Sequence, residues 1–393
     1  MMSGARALAL ILLAAPARAG LVPGISFREN LLYTGAPRLT GPGLPSEAYW
    51  LSATFVRPTL AATYGEWSAD AAVELAATAN SADLAALGEG RAGGSVFSRG
   101  KVLERFDLTL DPVSDPDKTV RLRAERLKIS RKFDSFDLDV GRQPVTLGTS
   151  HFVSVLDVLS PFPPGDLDST YKPGIDAGRL RASIGEEGEA ELIGAAADPW
   201  RDSAWVLRLR HPVKSVDVEL LGGSFRDRSF GGAAWEGDLE PLAVWGETAL
   251  FEYPGSARFS GIAGAEYKVA ADANVGAAYF YQAFGARNSA GYAAAALEAP
   301  YREGWAFLGA RQYAMLTGHA QPHTLVAVDV SGILNLIDGS TLWQPRLTWN
   351  AGDEIDVSFY GWVAEGRRPD AGGPRSEFGA AADGAGTYLR LFF

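Results

Sequence analysis

Alternation of apolar and polar residues is the sequence feature that most restricts the fold of this chain. In "TVRLRAE", for example, Val120 and Leu122 alternate with Arg121 and Arg123, and the same period recurs in "FDLTLDP", "FDSFDLDVG", "GRLRASI", "WVLRLR", "VDVELL" and "TYLRLFF". A period of two places successive side chains on opposite faces of a β-strand. Because such segments follow one another along most of the chain, with turns between them, they predict an all-β protein.

The N-terminus carries the three parts of a secretory signal peptide. The opening "MMSGARALALILLAAPARAG" has a positively charged start, a short apolar middle and a small-x-small exit. Its apolar stretch is too short to span a bilayer as a helix. We expect residues 1–19 to be removed by cleavage after Ala19, with Ala17 as the competing position. The mature chain then has 34 basic and 47 acidic residues, a net charge of −13, because the peptide contains two arginines and no acid.

Composition excludes several other classes of protein. The chain has no cysteine, which rules out a disulfide framework and a thiolate metal site. Its four histidines are scattered without the spacing of a His-based zinc motif, so we expect no metal and no cofactor. Beyond the leader, no apolar run approaches the roughly 18 residues of a transmembrane helix. An exported chain of this kind is periplasmic, secreted or a β-barrel in an outer membrane.

The number of alternating segments favours the barrel. Alternation that is weak in each segment but repeated many times is typical of transmembrane barrels, whose strands face lipid on one side and the lumen on the other. Only helices and closed barrels satisfy backbone hydrogen bonds in hydrocarbon. With both termini on the periplasmic side, short turns and longer loops alternate and give an antiparallel up-and-down barrel of about 18 strands, within a range of about 16 to 20. A barrel of this size encloses an aqueous channel.

The boundaries of this barrel follow from the same pattern. We place it at 62–393, after a lead segment at 20–61 that could add one hairpin formed by 26–34 and 48–57. The tryptophans near strand ends are predicted to lie at the two membrane interfaces, where amphipathic rings are favoured. They include Trp205, Trp343, Trp349 and Trp362.

The last strand ends the chain on an apolar face. Leu389, Leu391 and Phe393 share that face with Thr387. This pattern resembles the C-terminal signal that is read by the barrel-assembly machinery of Gram-negative outer membranes, although Thr387 is less apolar than the pattern. The resemblance implies a location in the outer membrane of a Gram-negative bacterium. It also implies that the barrel-assembly machinery and periplasmic chaperones are partners.

Residues 137–185 resemble a segment of porin-like and polysaccharide-export-like outer-membrane barrels. In these families a strand ends in Gly-Arg-Gln, a long loop with Asp and Pro follows, and Gly-x-Asp opens the next strand. Those places are taken by Gly141-Arg142-Gln143, by Asp157 with Pro161, and by Gly174-Ile175-Asp176. Leu147 departs from the pattern, because relatives often have Trp there. The resemblance covers about an eighth of the chain and implies an architecture rather than a substrate.

The loop at 154–175 is a candidate for narrowing the channel. It is too long for a tight turn, its prolines restrict its conformations, and it carries Asp157, Asp166 and Asp168. The resemblance to porins implies that such a loop folds into the lumen. Its carboxylates would then oppose arginines of the wall and orient polar solutes. The alternative is a loop that lies over the outer rim with its acids in water.

Charges on the predicted strands alternate in sign from one strand to the next. Arg179 and Arg181 are predicted to face the lumen, with Arg181 across from Glu191, and Arg210 across from Asp217. Cross-strand pairs of this kind contribute about 0.2–1 kcal/mol each, and salt screens them in a water-filled channel. The candidate pore-lining residues are Arg121, Arg123, Asp137, Asp139, Asp157, Asp166, Asp168, Arg179, Arg181, Arg208 and Arg210.

Two interpretations of this charge ladder remain open. In the first, the ladder stiffens the wall and selects little. In the second, unpaired members attract anions and face the acidic loop, and Arg121 and Arg123, predicted across a hairpin from the Asp137/Asp139 face, are the best candidates. The alternation also changes phase between Ala124 and Leu127, which predicts a β-bulge near Glu125-Arg126.

Catalytic motifs are weak in this sequence. Ser150, His151 and Ser154 are the nearest candidates, but a spacing of three places His151 and Ser154 on opposite faces of a strand. The chain contains neither a Gly-x-Ser-x-Gly elbow nor a Walker phosphate loop. We therefore expect no enzyme activity. An outer-membrane hydrolase is the least favoured alternative, and a non-conducting barrel that serves as an anchor or adhesin is a closer one.

These features together predict a porin-like outer-membrane channel for passive diffusion of small hydrophilic or charged solutes. Its expected partners are the lipid of the outer membrane, the assembly machinery and chaperones, and the solutes themselves. Nucleic acid is not an expected partner, and a homotrimer is compatible with this class.

Overall fold

The computed structural model describes residues 20–36, 38, 47–81, 102–162, 171–253, 255–370 and 373–393. Within these ranges the strands form one antiparallel sheet. The strands are β1 (Gly20–Thr34), β2 (Tyr49–Tyr64), β3 (Trp67–Asn80), β4 (Thr109–Ser114), β5 (Lys118–Lys132), β6 (Asp137–Gln143), β7 (Ile175–Ile184), β8 (Gly188–Ala195), β9 (Ala204–Val213), β10 (Val216–Phe225), β11 (Arg228–Leu239), β12 (Leu242–Tyr253), β13 (Ser256–Ala270), β14 (Ala273–Gln282), β15 (Gln312–His323), β16 (Val326–Asn335), β17 (Thr341–Gly352), β18 (Ile355–Glu365) and β19 (Gly384–Phe392).

The sheet closes on itself because β1 pairs with β2 on one side and with β19 on the other. The short β4 has no place of its own in the ring. It pairs with residues 119–123 of β5, while β6 pairs with residues 127–132 along the same edge of β5. The result is a closed antiparallel barrel of 18 strands, as the alternation predicts.

The residues at 20–61 are part of this ring. β1 and β2 are full-length strands, and β1 closes the barrel against β19, so the described barrel begins at Gly20 rather than at residue 62. The strand count stays at 18 with this hairpin included. One alternating segment, "FDLTLDP", contributes only to the short β4.

The two rims of the barrel differ. At the turn rim, strands are joined by short turns such as 65–66, 214–215 and 353–354, and Gly20 and Phe393 lie there. Longer connections join the strands at the loop rim, and their described residues are 144–162 with 171–174, 196–203, 283–311, 336–340, and 366–370 with 373–383. The terminal residue is held in the sheet, since the Phe393 amide donates to the Ile25 carbonyl at 2.9 Å.

The described helical segments are single turns. None of them is long and apolar enough to cross a membrane. They are Trp200–Asp202, Ser289–Gly291, Tyr292–Ala295, Ala299–Arg302 and Phe378–Ala380.

The two faces of the wall separate as the alternation predicts. Leu180, Leu192 and Leu220 point outward and are exposed, whereas Glu191 and Glu219 point inward and are buried. A β-bulge at Glu125 is confirmed, because Ala72 is opposite Arg126 and Val73 is opposite Ala124, which leaves Glu125 as the extra residue.

The tryptophans do not all follow the prediction. Trp205, Trp343 and Trp349 are exposed on the outer face. Trp362, in contrast, is buried and donates its indole N–H to the Ala382 carbonyl at 2.8 Å. Trp245 is also buried and packs against loop 144–174. Their indole rings therefore hold loops on the barrel instead of marking the membrane interface.

Candidate functional site

Loop 144–174 is attached to the wall through the Glu247 carboxylate on β12. This carboxylate accepts the amides of Thr149 and Ser150 at 2.6 Å, the amide of Val155 at 2.8 Å and the Ser154 hydroxyl at 2.8 Å. Glu247 is 0% exposed and lies on the same inward face as Trp245. The described part of the loop therefore packs against the inner wall.

A glycine allows this close approach. Gly148 has a φ of +80°, and a Cβ atom at this position would collide with the Glu247 carboxylate. Only glycine combines a left-handed backbone with the absence of a side chain. The loop can therefore pass directly over the wall.

The other end of the loop reaches a different part of the wall. The Tyr171 ring lies under the guanidinium groups of Arg28 on β1, at 4.7 Å, and Arg57 on β2, at 4.2 Å. Because β1 and β2 are far from β12 around the ring, these contacts place the described loop residues across the barrel interior.

Asp157 does not line open space. It is 5% exposed and forms a buried ion pair with Lys172 inside the loop. Burial raises the pKa of the Asp157 carboxyl, while the Lys172 ammonium acts in the opposite direction. The prediction that Asp157 lines the pore is therefore wrong. Its carboxylate instead joins the two arms of the loop through Lys172. Asp166 and Asp168 lie outside the described residues.

The charge ladder exists, with a register that differs in part from the prediction. Arg181 is opposite Glu191 as predicted, but it forms its ion pair with Asp139 at 2.7 Å. Arg210 is opposite Glu219 rather than Asp217, because the turn occupies only 214–215.

Glu191 and Glu219 are shared along this ladder. Glu191 pairs with Arg179 and Arg208, each at 2.5 Å. Glu219 lies 3.2 Å from Arg210 and 3.7 Å from Arg208. The arginines of β7 and β9 are thus neutralised by the wall itself, which supports the stiffening interpretation for this stretch.

Arg121 and Arg123 are not the free cations that the sequence analysis predicts. Arg121 lies 2.7 Å from Asp111 on β4, and Arg123 forms an ion pair with Glu104 and lies 3.3 Å from Glu125. They are not across from the Asp137/Asp139 face either. Asp137 is in register with Lys132 and Arg181, and Asp139 with Ser130 and Arg179.

The residues of the mid-chain resemblance meet in one buried ion pair. Arg142 Nε lies 2.8 Å from Asp176 Oδ1, and Nη2 lies 3.0 Å from Oδ2. The same Asp176 carboxylate accepts the amides of Arg105 and Phe106 at 2.8 and 3.0 Å. The pair therefore holds the chain before β4 against the wall.

Two glycines of the same motif permit this packing. A Cβ atom at Gly141 would collide with the Leu127 carbonyl, and one at Gly174 would collide with the Glu125 carbonyl. The motif is architectural, as the resemblance implies.

Arg57 and Arg126 are neighbouring inward-facing arginines that lack an acceptor among the described residues. No hydrogen bond or ion pair satisfies Arg57 on β2 or Arg126 on β5 within the described part of the chain, and the Nε atom of each is buried without a partner. Arg57 is 2% exposed and lies close enough to Arg126 for the two charges to interact. The acids whose charges reach Arg57 are Glu74 and Glu125, and these lie in ion pairs with Arg28 and Arg123. Sequence reasoning missed both arginines, because Arg57 falls in the lead segment and the bulge reverses the phase at Arg126.

Two acids face the lumen from the opposite wall. Glu236 and Glu266 face the lumen from β11 and β13, and the His151 ring lies 3.5 Å from the first and 2.9 Å from the second. Beside them is a cavity of about 340 Å³. Its lining includes Glu266, Thr317, His319, Asp329, Gln344 and Arg346.

The weak catalytic candidates do not form a site. Ser154 Oγ contacts Glu247 and the Leu147 carbonyl, whereas the His151 ring contacts Glu236 and Glu266. No hydrogen bond therefore joins His151 to Ser154. Both side chains hold the loop on the wall.

No protein-family model and no curated protein matches this chain. Solved structures do match it in shape. OccK7 (OpdD) of Pseudomonas aeruginosa has a TM-score of 0.57 at 9% identity, over 96% of this chain and 99% of that one. OccK11 (OpdR) and OccK5 (OpdH) of the same organism have TM-scores of 0.54 at 9% identity, over 95% and 94% of this chain and 96% and 97% of theirs. At this identity the likeness shows the fold alone: this chain has the 18-stranded barrel fold of these proteins.

Proposed function

We propose that this chain is a porin-like outer-membrane channel through which small hydrophilic solutes diffuse passively, with a preference for anions. The chain has the barrel fold of the OccK structures, and an 18-stranded barrel encloses a lumen. The observation that carries the preference is Arg126, a partly exposed inward arginine without an acceptor among the described residues. The buried Arg57 beside it adds its positive charge to the same part of the wall.

The mechanism follows from the separation of charges around the wall. Arg57 and Arg126 lie on β2 and β5, whereas Glu236 and Glu266 lie on β11 and β13. A polar solute between them experiences a transverse field and is oriented by it. The described residues of loop 144–174 occupy part of the lumen and direct solutes toward these walls. No chemical step is involved.

Ion selectivity tests this proposal. We expect stable single-channel conductance in a planar bilayer, with a reversal potential under a salt gradient that indicates anion preference. The double variant R57Q/R126Q should lower the anion-to-cation permeability ratio by about threefold or more, since unpaired charges at a constriction set selectivity. The control R121Q/R123Q removes the same charge from residues that already have acidic partners, and it should leave the ratio nearly unchanged.

Other outcomes would redirect the proposal. A barrel that inserts without conducting would exclude a channel and favour the anchor or adhesin. A larger shift in the control than in R57Q/R126Q would contradict the assignment of the anion site.

We further propose that the chain is exported through its 1–19 leader and inserted by the barrel-assembly machinery of a Gram-negative outer membrane. Residues 1–19 lie outside the described residues. The C-terminal residues support the second step, because Leu389 and Leu391 share the outward face of β19 and Phe393 is 70% exposed at the turn rim.

We propose a homotrimer that is formed through the outer face of β1 and β2. Glu29 of β1 points toward lipid, in register with Leu389, and accepts hydrogen bonds from the hydroxyls of Ser52 at 2.7 Å and Thr54. Ionisable groups that face hydrocarbon are costly and commonly mark functional contacts. A second copy that covers this face would remove the Glu29 carboxylate from lipid.

Replacing Glu29 with leucine tests this contact. In detergent, E29L should lower the association constant of the trimer by about tenfold, since a contact of about 1.4 kcal/mol is lost. The population then shifts from trimer toward monomer. Light scattering coupled to size-exclusion chromatography measures the mass. The control E266Q alters a carboxylate that faces the lumen and should leave the mass unchanged. A wild-type monomer, or an E29L trimer of unchanged stability, would contradict the proposal.

A further inference from the structure

Three connections at the loop rim meet at Glu377. This residue belongs to connection 366–383, and its Oε1 accepts the Gly309 amide of connection 283–311 at 2.6 Å. Its Oε2 accepts the Tyr313 hydroxyl at 2.5 Å and the Asn335 side-chain amide at 2.7 Å. One carboxylate thus joins the 366–383 connection to two neighbouring parts of the rim.

A second carboxylate lies in the same network. Asp338 Oδ2 accepts the Glu377 amide at 2.8 Å, the Asn335 side-chain amide at 3.3 Å and the Tyr292 hydroxyl. Asp338 Oδ1 accepts the Ser340 amide at 2.8 Å. Both carboxylates therefore share the Asn335 amide as a donor.

No described cation is paired with Glu377, and the nearby Arg311 of connection 283–311 acts on the neighbouring Tyr301. In the described ranges neither Glu377 nor Asp338 forms an ion pair. The titratable groups that face Glu377 are Tyr313 from β15, Tyr292 and Tyr301 from the two helical turns of connection 283–311, and Asp338 from connection 336–340. All of these are neutral or negative, so ionised Glu377 adds a second negative charge beside Asp338 without compensation.

We propose that Glu377 is a proton-controlled latch that docks segment 373–383 against connection 283–311 when protonated and loosens this docking when ionised. The latch goes beyond the proposed channel function, because it concerns how loops over the mouth of the barrel move and not which solute passes. Segment 373–383 also carries Phe378, which is buried in the cluster with Trp362. Release of the segment would therefore expose apolar surface at the loop rim.

The direction of the pH effect follows from proton linkage. Removal of the carboxyl from water raises the pKa of Glu377 from 4.5 to about 7 in the docked arrangement. A raised carboxyl pKa means that the docked form binds the proton more tightly than the released form. Docking is therefore strongest below pH 4.5, weakens as the pH rises toward 7, and changes little above that value. Each pH unit inside this window changes the docking equilibrium by about tenfold.

Thiol labelling measures the docking directly, because the chain has no cysteine of its own. Ser376 is fully buried beside Glu377, whereas Arg375 is exposed. S376C and R375C each introduce one thiol that a membrane-impermeant reagent can label. Dividing the labelling rate of S376C by that of R375C cancels the pH dependence of thiolate formation. We expect this ratio to rise at least about tenfold between pH 5 and pH 8.

Variants of the network identify the group that titrates. E377Q in the S376C and R375C backgrounds should make the ratio independent of pH. E365Q, which alters an exposed glutamate at the end of β18, should leave the pH dependence intact. Y313F removes a donor that favours the ionised carboxylate, so the window should move to higher pH. Y313F tests the latch even where E377Q fails to assemble.

Several results would overturn the latch. A wild-type ratio that is equal at pH 5 and pH 8 excludes it, and so does a pH dependence that survives in E377Q. A purely structural role of Tyr313 would change the ratio at every pH without moving the window. Because labelling needs no ion flow, the latch can fail while the channel stands, and the channel can fail while the latch stands.

Discussion

Replacing Arg142 with leucine is expected to lower the free energy of unfolding by about 3–5 kcal/mol. The variant leaves the Asp176 carboxylate buried without its cation, and the Phe106 and Ala124 carbonyls lose the donors of the guanidinium group. An uncompensated buried charge costs far more than the net contribution of an exposed pair. Denaturant unfolding of the refolded barrel in detergent, followed by tryptophan fluorescence, measures the difference.

Arg121 offers a matched control for this variant. It is also an arginine on the inner side of a neighbouring strand, but its pair with Asp111 is exposed. R121L should therefore cost less than about 1 kcal/mol. If R121L and R142L destabilised the barrel equally, the buried Arg142–Asp176 pair would not be the element that holds the chain before β4.

The second large effect is expected from replacing Glu247 with alanine. The variant leaves the amides of Thr149, Ser150 and Val155 without their acceptor. Each buried donor that loses its partner costs about 1–3 kcal/mol, so docking of loop 144–174 should weaken by about 3 kcal/mol or more. The barrel itself should remain closed, because no strand pairing depends on this carboxylate.

Two measurements follow the loop in E247A. Limited proteolysis should cut loop 144–174 faster than in the wild type, and single-channel conductance should increase with stronger fluctuations. E266A is the matched control, since Glu266 also faces the lumen from a neighbouring strand, and among the described loop residues it contacts the half-exposed His151 ring alone. A loop that stays protected in E247A would show that the apolar contacts of Leu147 and Leu156 hold it without the carboxylate.

The barrel and much of its register could be predicted because they depend on local pattern. The period of two defines the inward and outward faces of each strand, and the hairpin turn sets Arg181 opposite Glu191. The change of phase after Ala124 likewise locates the bulge at Glu125. In each case the information lies within one strand or one hairpin.

The candidate site could be predicted only in part, because its contacts join residues that are distant in the chain. The acidic partners of Arg121 and Arg123 lie 10 and 19 residues earlier in the chain, on and just before β4, on the side of β5 that the sequence analysis assigned to the Asp137/Asp139 face. Thr149 and Glu247 are 98 residues apart in sequence, and no periodicity relates them. Such pairs follow from how the loop crosses the barrel.

The sequence by itself determined the class of fold and the inward and outward faces of the strands, because alternation can be read within short segments. The export leader is likewise predicted from one short segment, residues 1–19. The tertiary structure alone decided which arginines are paired, since an inward strand position says only that a side chain reaches the lumen. β4 and the chain before it supply acids to Arg121 and Arg123, and β7 supplies Asp176 to Arg142, whereas Arg57 and Arg126 have no acceptor among the described residues. The sign of a wall is therefore a local property, whereas its unpaired charge depends on distant partners.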